Sequence, residues 1–378
     1  SLRGEKAGKE GMSSFQSLAT AIAAQVGTGN LAGAATAIVS GGPGAIFWMW
    51  ISAFFGMATI FAEAVLAQLF KKEVNGQVTG GPAYYLRYGL NSKFLSSFFA
   101  ITIVLALGFI GNMVQANSIG TAFESAFHVN PLIVGIVLAI ISGFIFVGGV
   151  ARIASFTEKI VPIMAFFYII GGLIILVIMG SDTLDAIRQI FVGAFNPSAV
   201  LGGAAGVAVK DAVRYGVARG LFSNEAGMGS TPHAHAIAKV DDPTQQGLVA
   251  IVGVFIDTFI VLNVSALVII ATGANLSGET GIAVTQKAFE TGFGGFGLVF
   301  VAIALLFFAF STIIGWYFFA EANIKYLFGE KGLTPYRIIV LAFIVLGTCL
   351  RVDLVWELAD MFNGIMVIPN VIGLIGLS

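Results

Sequence analysis

The amino-acid sequence predicts an all-α polytopic membrane protein. Of its 378 residues, 57% are hydrophobic and only 10% are charged, whereas soluble globular chains carry about 25% charged residues. The 48 glycines add to the apolar fraction, and the mean hydropathy is +0.94. No soluble fold could bury that much apolar surface, so most of the surface must face lipid.

Ten stretches are long and apolar enough for a membrane-spanning helix, which needs about 20 residues. No low-complexity linker separates them, so residues 1–378 are expected to form a single transmembrane domain. The predicted helices comprise approximately residues 13–39, 44–70, 93–118, 131–150, 158–180, 211–236, 246–272, 296–328, 335–350 and 354–376.

Charge and cysteine content exclude several classes of function. The net charge is −1, from 19 basic and 20 acidic residues, and leaves no basic surface for nucleic acid. The single cysteine, Cys349, excludes disulfides and thiolate metal sites. The chain begins at Ser1 with a polar stretch, and we expect it to be part of a longer chain rather than a protein with a signal peptide.

The distribution of Lys and Arg predicts the orientation. If the first helix starts in the cytoplasm, thirteen of these residues lie in inner loops, including Arg3, Lys6 and Lys9, and three lie in outer loops. Three more, at the sixth helix, are not counted. Because cytoplasmic loops of membrane proteins are enriched in Lys and Arg, this bias favours a cytoplasmic start.

The sixth helix begins near the midpoint of the chain, after five others. Because an odd number of helices precedes it, the second half starts on the opposite side of the membrane. If the halves are related, the second is therefore inverted relative to the first, and the two repeats comprise about residues 13–180 and 198–376. Such a five-plus-five inverted repeat is typical of transporters whose binding site lies where the first helix of each repeat is broken. Glycine-rich interruptions occur in both places, at residues 27–30 and 222–227.

A broken helix inside the bilayer exposes backbone groups that can bind ligands. The N-terminus of a half-helix presents free N–H groups and a positive dipole end to a carboxylate, and freed carbonyls suit a hard cation. An amino acid together with sodium would satisfy both. The alternative is that Gly27, Gly29 and Gly33 only allow two helices to approach closely. A dinucleotide-binding loop is excluded because the third glycine is misplaced and a helix precedes the motif.

Four segments resemble the alanine or glycine:cation symporter family. They are AQVGTGN at 24–30, GGPGAIFWMW at 41–50, GGPAYY at 80–85 and LFSNEAGMGS at 221–230. The resemblance covers nearly the whole chain. It implies a fold like that of the bacterial leucine transporter, sodium-driven uptake of alanine or glycine, a plasma-membrane location and no cofactor besides the sodium ion. Members usually carry one more helix ahead of Ser13.

The resemblance also implies site residues. The N–H groups of Thr28 and Gly29 would hold the substrate carboxylate, and Asn30 could bind the substrate directly. The remaining substrate candidates are Gln115, Phe222, Ser223, Gly227, Met228 and Trp316. The sodium ligands would be the carbonyls of Ala23, Val26 and Phe308 with the hydroxyls of Ser311 and Thr312. Alternatively, these two hydroxyls bond back to their own helix.

The charged residues inside predicted helices have simpler interpretations. Asp257 is expected to pair with a basic residue of the sixth helix, because unpaired charges are rare inside membranes. Glu63 is expected to pair with Lys71 or Lys72, and Glu321 with Lys325.

Two polar segments and two tryptophans are not expected at the site. Glu225 would cap the second half of the sixth helix. The segment His233-x-His235 would lie in a cytoplasmic loop, since no third metal ligand follows. Trp48 and Trp50 would belong to an aromatic belt near the outer surface.

The leading hypothesis is therefore a symporter for small neutral amino acids. An enzyme is disfavoured because the sequence lacks a Gly-x-Ser-x-Gly elbow, a His-Glu-x-x-His helix and paired midplane aspartates. A proton-coupled amino-acid transporter and a channel remain as alternatives. The expected partners are alanine or glycine, sodium and the lipid bilayer, and the oligomeric state, with a monomer as one option, stays open.

Overall fold

The computed structural model describes residues 11–197, 200 and 209–378, which are almost entirely helical. They also include a hairpin of two three-residue strands, β1 and β2, in which Lys72 pairs with Thr79. The strands are β1 Lys72–Val74 and β2 Gln77–Thr79. The helices are α1 Ser14–Gln25, α2 Gly29–Gly41, α3 Ala45–Leu69, α4 Pro82–Tyr88, α5 Lys93–Phe127, α6 Pro131–Val147, α7 Gly149–Met179, α8 Ser181–Phe195, α9 Val209–Asn224, α10 Pro232–Ala236, α11 Pro243–Ala271, α12 Ile282–Phe293, α13 Gly295–Phe328, α14 Leu333–Cys349 and α15 Val352–Leu377.

The prediction of a polytopic helical membrane protein is confirmed. In the described residues, six helical segments are long and apolar enough to cross a bilayer, or seven when α1 and α2 count as one span. One of the six runs over Gly295–Cys349 and contains both α13 and α14, which a short turn at Gly329–Gly332 separates. Each of the ten predicted helices overlaps a helix of the structure.

Several helix ends differ from the prediction. Helix α5 continues to Phe127 rather than 118, because its polar end is packed against α14, where the Asn117 amide donates to the carbonyls of Gly347 and Leu350 at 2.8 Å. Helix α7 begins at Gly149 rather than 158. The short helices α4, α8 and α12 and the hairpin were not predicted, since each is too short for the spanning-helix criterion.

The first predicted helix is divided. Helices α1 and α2 form an angle of 46° with each other. Of residues 26–28 between them, Val26 and Gly27 leave helical geometry. Helix α2 starts with a wide π-helical turn over Gly29–Gly33. Because α1 packs between α7, α11 and α13, the break lies inside the protein rather than against lipid.

The sixth predicted helix is also divided, but later than predicted. Helix α9 continues through Phe222 and Ser223 to Asn224, and α10 starts only at Pro232. Between them Glu225 and two glycines adopt left-handed backbone conformations, with φ of +58°, +91° for Gly227 and +80° for Gly229. The start of the proposed second repeat, near residue 198, and the loop residues Arg3, Lys6 and Lys9 lie outside the described residues.

Candidate functional site

The residues predicted to bind sodium come together where α1 ends. The Thr312 hydroxyl lies 2.9 Å from the Ala23 carbonyl oxygen and 3.3 Å from that of Val26. The Ser311 hydroxyl lies 3.4 Å from the Ala23 carbonyl oxygen. Both hydroxyls also donate back to the Phe308 carbonyl, at 2.8 and 3.1 Å. All five residues are buried, so α1 and α13 together supply a cluster of five oxygens. The alternative interpretation, in which the two hydroxyls bond back to their own helix, agrees with the same structure.

Gly27 in the first break and Gly29 at the start of α2 permit close helix contacts. A Cβ atom on Gly27 would contact the Thr312 hydroxyl and lie 3.0 Å from the side-chain oxygen of Gln115. A Cβ atom on Gly29 would lie 3.0 Å from the Ser223 Cα. The missing side chains therefore allow the end of α1 to pack closely against α13, and the start of α2 to pack closely against α9.

Polar side chains accept hydrogen bonds from the backbone N–H groups of the first break. The Thr28 N–H donates to the Gln115 side-chain oxygen at 3.0 Å, so an amide oxygen occupies the place predicted for a substrate carboxylate oxygen. The Gly27 N–H donates to the Asn30 side-chain oxygen at 2.9 Å. Gln115 was predicted as a substrate candidate together with Thr28, and the structure brings these two residues into contact.

Asp257 connects the first break to α9. Its carboxylate accepts from the Asn30 amide at 2.7 Å and from the Ser223 hydroxyl at 3.1 Å. It also accepts from Thr258 at 2.9 Å. The predicted pairing with a basic residue is wrong, since the guanidinium of Arg219 pairs with Asp360 instead, at 2.6 Å. The buried carboxylate is held by neutral donors beside the candidate substrate residues.

Glu63 supports the second break. Its carboxylate accepts from the backbone N–H groups of Gly227 and Gly229, at 2.9 and 2.8 Å, and from the Asn370 amide at 2.5 Å. The prediction that Glu63 pairs with Lys71 or Lys72 is wrong. Lys71 donates to a glutamine side chain one turn before it, and burial lowers the pKa of its ammonium group.

Asn370 of α15 was missed at this break. Its amide donates both to Glu63 and to the Gly227 carbonyl, at 2.9 Å, and its oxygen accepts from the Tyr85 hydroxyl. The only signal in the sequence is a polar amide within an apolar helix, which is typical of residues that face the protein interior.

Aromatic side chains surround Phe222. Its ring lies edge-on to that of Trp316, with centroids 5.6 Å apart, and 4.9 Å from the ring of Trp356. All three are buried, as is Met228. Trp356 was not predicted, because nothing in its neighbourhood distinguishes it from an interfacial tryptophan. The structure thus brings Phe222 and Trp316 together as predicted.

Glu225 does not cap the second half of the sixth helix by its side chain. Its carboxylate accepts from the Trp316 indole N–H at 2.6 Å and from the Ser230 hydroxyl. The capping prediction failed because the chain does not resume a helix until Pro232, so the carboxylate has no adjacent helical N–H groups to bind.

The remaining polar predictions have mixed outcomes. The pairing of Glu321 with Lys325 is confirmed, at 3.0 Å. The loop prediction for His233 and His235 is wrong, since both are buried in α10 and bonded to Asn323 and Gln246 respectively. Across residues 11–197, 200 and 209–378, no group of three or more His, Cys, Asp or Glu residues could hold a metal ion.

Trp48 and Trp50 lie at the start of α3, away from this site. Their indoles donate to the Ala194 carbonyl and the Asn263 side chain, at 3.1 and 2.6 Å. Their rings also contact Phe191 or Phe195 of α8, so both are packed against neighbouring elements.

Comparison with known proteins identifies relatives along the whole chain. Residues 1–378 match the sodium:alanine symporter family. The sodium/alanine symporter AgcS of Methanococcus maripaludis is 46% identical over 376 residues, covering 97% of this chain and 82% of AgcS. The amino-acid carrier protein AlsT of Bacillus subtilis is 43% identical, covering 98% of this chain and 79% of AlsT. The probable sodium/glutamine symporter GlnT of Bacillus subtilis is 45% identical, covering 98% of this chain and 77% of GlnT.

A solved structure shares the fold. The manganese transporter of Eremococcus coleocola, in its H236A mutant, superimposes with a TM-score of 0.61 at 13% identity, covering 96% of this chain and 76% of that one. The relatives are transporters rather than enzymes, as predicted. The chain belongs to the sodium:alanine symporter family, and it is a multi-pass transporter of the cell membrane whose family uses sodium as the coupling ion.

Proposed function

We propose that the protein carries small neutral amino acids, alanine and glycine, into the cell together with sodium by alternating access. The observation that carries the proposal is the bridge from Asn30 through Asp257 to Ser223. It joins the two broken helices beside the oxygen cluster between α1 and α13. The name of the relative AgcS, a sodium/alanine symporter, supports alanine as the substrate and sodium as the coupled ion.

The proposed sodium site is the cluster of five oxygens between α1 and α13. Sodium is a hard cation that prefers oxygen ligands, and buried carbonyls and hydroxyls supply them without adding a charge that would have to be paired. The proposed ligands are the carbonyl oxygens of Ala23, Val26 and Phe308 and the hydroxyls of Ser311 and Thr312. A bound ion would take the place of hydrogen bonds that the two hydroxyls now make.

The proposed substrate site is next to it, at the start of α2. The substrate carboxylate would accept from the N–H groups of Thr28 and Gly29, displacing the Gln115 side-chain oxygen that now bonds to Thr28. Asn30 would bind the substrate through its side chain. The Asp257 carboxyl group, which already accepts from Asn30 and Ser223, would accept a hydrogen bond from the substrate ammonium group.

The substrate side chain would face the second broken helix. The proposed lining residues are Phe222, Ser223, Gly227, Met228 and Trp316. The bulky members would restrict the substrate side chain to about the size of a methyl group, and each further methylene is decided by about 1–3 kcal/mol. We expect alanine and glycine to compete, serine more weakly, and leucine hardly at all. Since GlnT is named as a glutamine symporter, glutamine is the second candidate substrate.

For the architecture, we propose a single transmembrane domain built as a five-plus-five inverted repeat like that of the bacterial leucine transporter. The repeats would be residues 13–180 and about 198–376. The breaks in the first and sixth helices favour this arrangement, because each of the two repeats then begins with a broken helix. Movement of one set of helices against the other would open the site to each side in turn.

The test is uptake of labelled alanine into proteoliposomes under an inward gradient of sodium, potassium or protons. We expect accumulation only with sodium. Accumulation driven by protons alone would instead support the proton-coupled alternative, and uptake that does not saturate would support a channel. Competition by unlabelled alanine, glycine, glutamine and leucine in the same assay decides the substrate. Stronger inhibition by glutamine than by alanine would overturn the proposed lining.

A further inference from the structure

Glu225 and Trp316 form a buried contact that the proposed transport cycle does not yet use. The indole N–H of Trp316 donates to one carboxylate oxygen of Glu225 at 2.6 Å, and the Ser230 hydroxyl donates to the other. Both Glu225 and Ser230 are fully buried, and Trp316 is 1% exposed. The contact joins the middle of α13 to the break between α9 and α10.

The backbone at Glu225 is unusual for a glutamate. Its φ of +58° lies in the left-handed region, which glycine and asparagine adopt more readily than other residues. The conformation starts the break directly after Asn224 and directs the carboxylate towards α13. This position therefore combines a backbone conformation that glutamate disfavours with a carboxylate that accepts hydrogen bonds from Trp316 and Ser230.

The indole ring itself is confined on two other sides. The Phe222 ring packs against it at an interplanar angle of 90°. On another side, a Cβ atom on Gly111 would lie 2.6 Å from the ring, so α5 approaches as closely as a glycine permits. A buried indole N–H needs an acceptor, and Glu225 supplies it. Three neighbours therefore restrict the orientation of the Trp316 indole, and Glu225 is the one that binds its N–H group.

We propose that Glu225 is a positioning residue that fixes Trp316 and thereby sets the largest side chain the pocket accepts. The proposal rests on the proposed function, in which Trp316 and Phe222 line the substrate pocket. Without the acceptor, the indole is free to turn away from Phe222, and the pocket gains space on that side. Larger amino acids then gain affinity relative to alanine.

The experiment compares three substitutions of Glu225 and one of its neighbour. Glu225→Gln keeps an acceptor for the indole, whereas Glu225→Ala removes it, and Glu225→Asp withdraws the carboxylate by one methylene. Ser230→Ala is the matched control, because it removes the other hydrogen bond of the carboxylate and leaves the indole contact in place. The measurement is displacement of labelled alanine by unlabelled alanine, valine and leucine on purified, monodisperse protein.

We expect Glu225→Ala to raise the affinity for valine relative to alanine about tenfold, and Glu225→Gln and Ser230→Ala to leave the ratio within about twofold. If Glu225→Ala yields no folded protein, Glu225→Asp tests the same contact and should shift the ratio in the same direction. In a Trp316→Phe background, which lacks the indole N–H, Glu225→Ala should change the ratio no further.

Two results would overturn the proposal. One is an equal loss of alanine and valine affinity in the Glu225 variants, which a merely structural role predicts. The other is a change of ratio by Glu225→Ala that persists in the Trp316→Phe background. Failure of the proposed function looks different, since the unsubstituted protein would then bind neither amino acid.

Discussion

The two helix breaks differ in length and in what holds them. The first comprises only residues 26–28, and its nearest closure is local, from the Asn30 side chain to the Gly27 N–H. The second comprises residues 225–231, and its N–H groups bind Glu63, which lies more than 160 positions earlier in the chain. At the first break one N–H group binds a nearby side chain and the next binds Gln115 of α5, whereas the longer second break also has its backbone bound by side chains of α3 and α15.

The difference between the breaks suggests that the first serves ligand binding and that the second is a structural element. The first break has few residues to stabilise, and its neighbourhood contains the proposed ligand groups, namely the carbonyls before it and the N–H groups within it. The second break has its backbone occupied by Glu63 and Asn370. We therefore expect substitutions near the first break to change binding, and substitutions of the supports of the second to change stability.

The largest effect is expected for Glu63→Ala. It leaves the N–H groups of Gly227 and Gly229 and the Asn370 amide without their acceptor, at about 1–3 kcal/mol for each buried group left unpaired. The purified protein should lose most of its thermal stability in detergent, measured by loss of the monodisperse peak after heating. Glu63→Gln, which retains one acceptor oxygen, should lose less.

A Glu63→Ala protein as stable as the parent would contradict the assignment of Glu63 as the main support of the second break. Glu321→Gln is a suitable comparison. It alters a carboxylate that pairs with Lys325 near the end of α13, where partial exposure of the lysine weakens the pair. Its effect on stability should be small.

The next largest effect is expected for Gly29→Val. Even a Cβ atom there would lie 3.0 Å from the backbone of Ser223 and 3.3 Å from the Phe222 ring, so α2 and α9 must separate. Alanine binding should be lost while the protein still inserts and purifies. Calorimetric or scintillation-proximity binding on monodisperse protein is the measurement.

Gly33→Ala is the matched control, because a Cβ atom there meets its nearest neighbours only at 3.8 Å. It should bind alanine normally. Near-normal alanine binding by well-folded Gly29→Val would show that the close approach at the first break is not needed for the substrate.

The contrast between the breaks also explains what could be predicted. The first break was located from Gly27, Gly29 and Asn30, because its determinants are local and glycine-rich. The second was placed at 222–227 rather than 225–231, since the side chains that bond to Ser223 and to the residues after it, namely Asp257, Glu63 and Asn370, belong to distant segments.

The candidate site follows the same pattern. Ala23, Val26 and Thr312, which the family resemblance implied as sodium ligands, are found together. The partners of Glu63 and Asp257 were predicted wrongly. Glu63 was paired with lysines close to it in the sequence, and Asp257 was paired with a basic residue of the sixth helix because of its charge. Buried carboxylates can instead be satisfied by several neutral donors, and sequence spacing does not reveal which ones.

Asn30→Ala should have a moderate effect. It removes an acceptor for the Gly27 N–H and a donor to Asp257, and we expect alanine binding to weaken by about 1–3 kcal/mol. Asn263→Ala is the control, since that amide bonds to Phe259 and Trp50 away from the breaks. Equal alanine dissociation constants for the two variants, measured by calorimetry, would remove Asn30 from the proposed site.

The smallest effects should separate Ser311 from Thr312. The Thr312 hydroxyl lies within 3.3 Å of carbonyl oxygens from both Ala23 and Val26, whereas Ser311 reaches only the Ala23 carbonyl of α1, at 3.4 Å. We expect Thr312→Ala to raise the sodium concentration for half-maximal uptake about tenfold, equivalent to about 1.4 kcal/mol. Ser311→Ala should raise it about threefold, and the double substitution by more than either.

Thermodynamic linkage between sodium and alanine binding shows which of the two breaks lies beside the sodium site. Because coupling between two sites is reciprocal, alanine affinity in the Ser311 and Thr312 variants should fall at low sodium and recover as sodium saturates. Glu63→Gln, which weakens the second break, should lower stability and leave the half-maximal sodium concentration where it was. If the sodium dependence moved with Glu63→Gln but not with the double substitution, the ion would have to be bound by the second break rather than between α1 and α13.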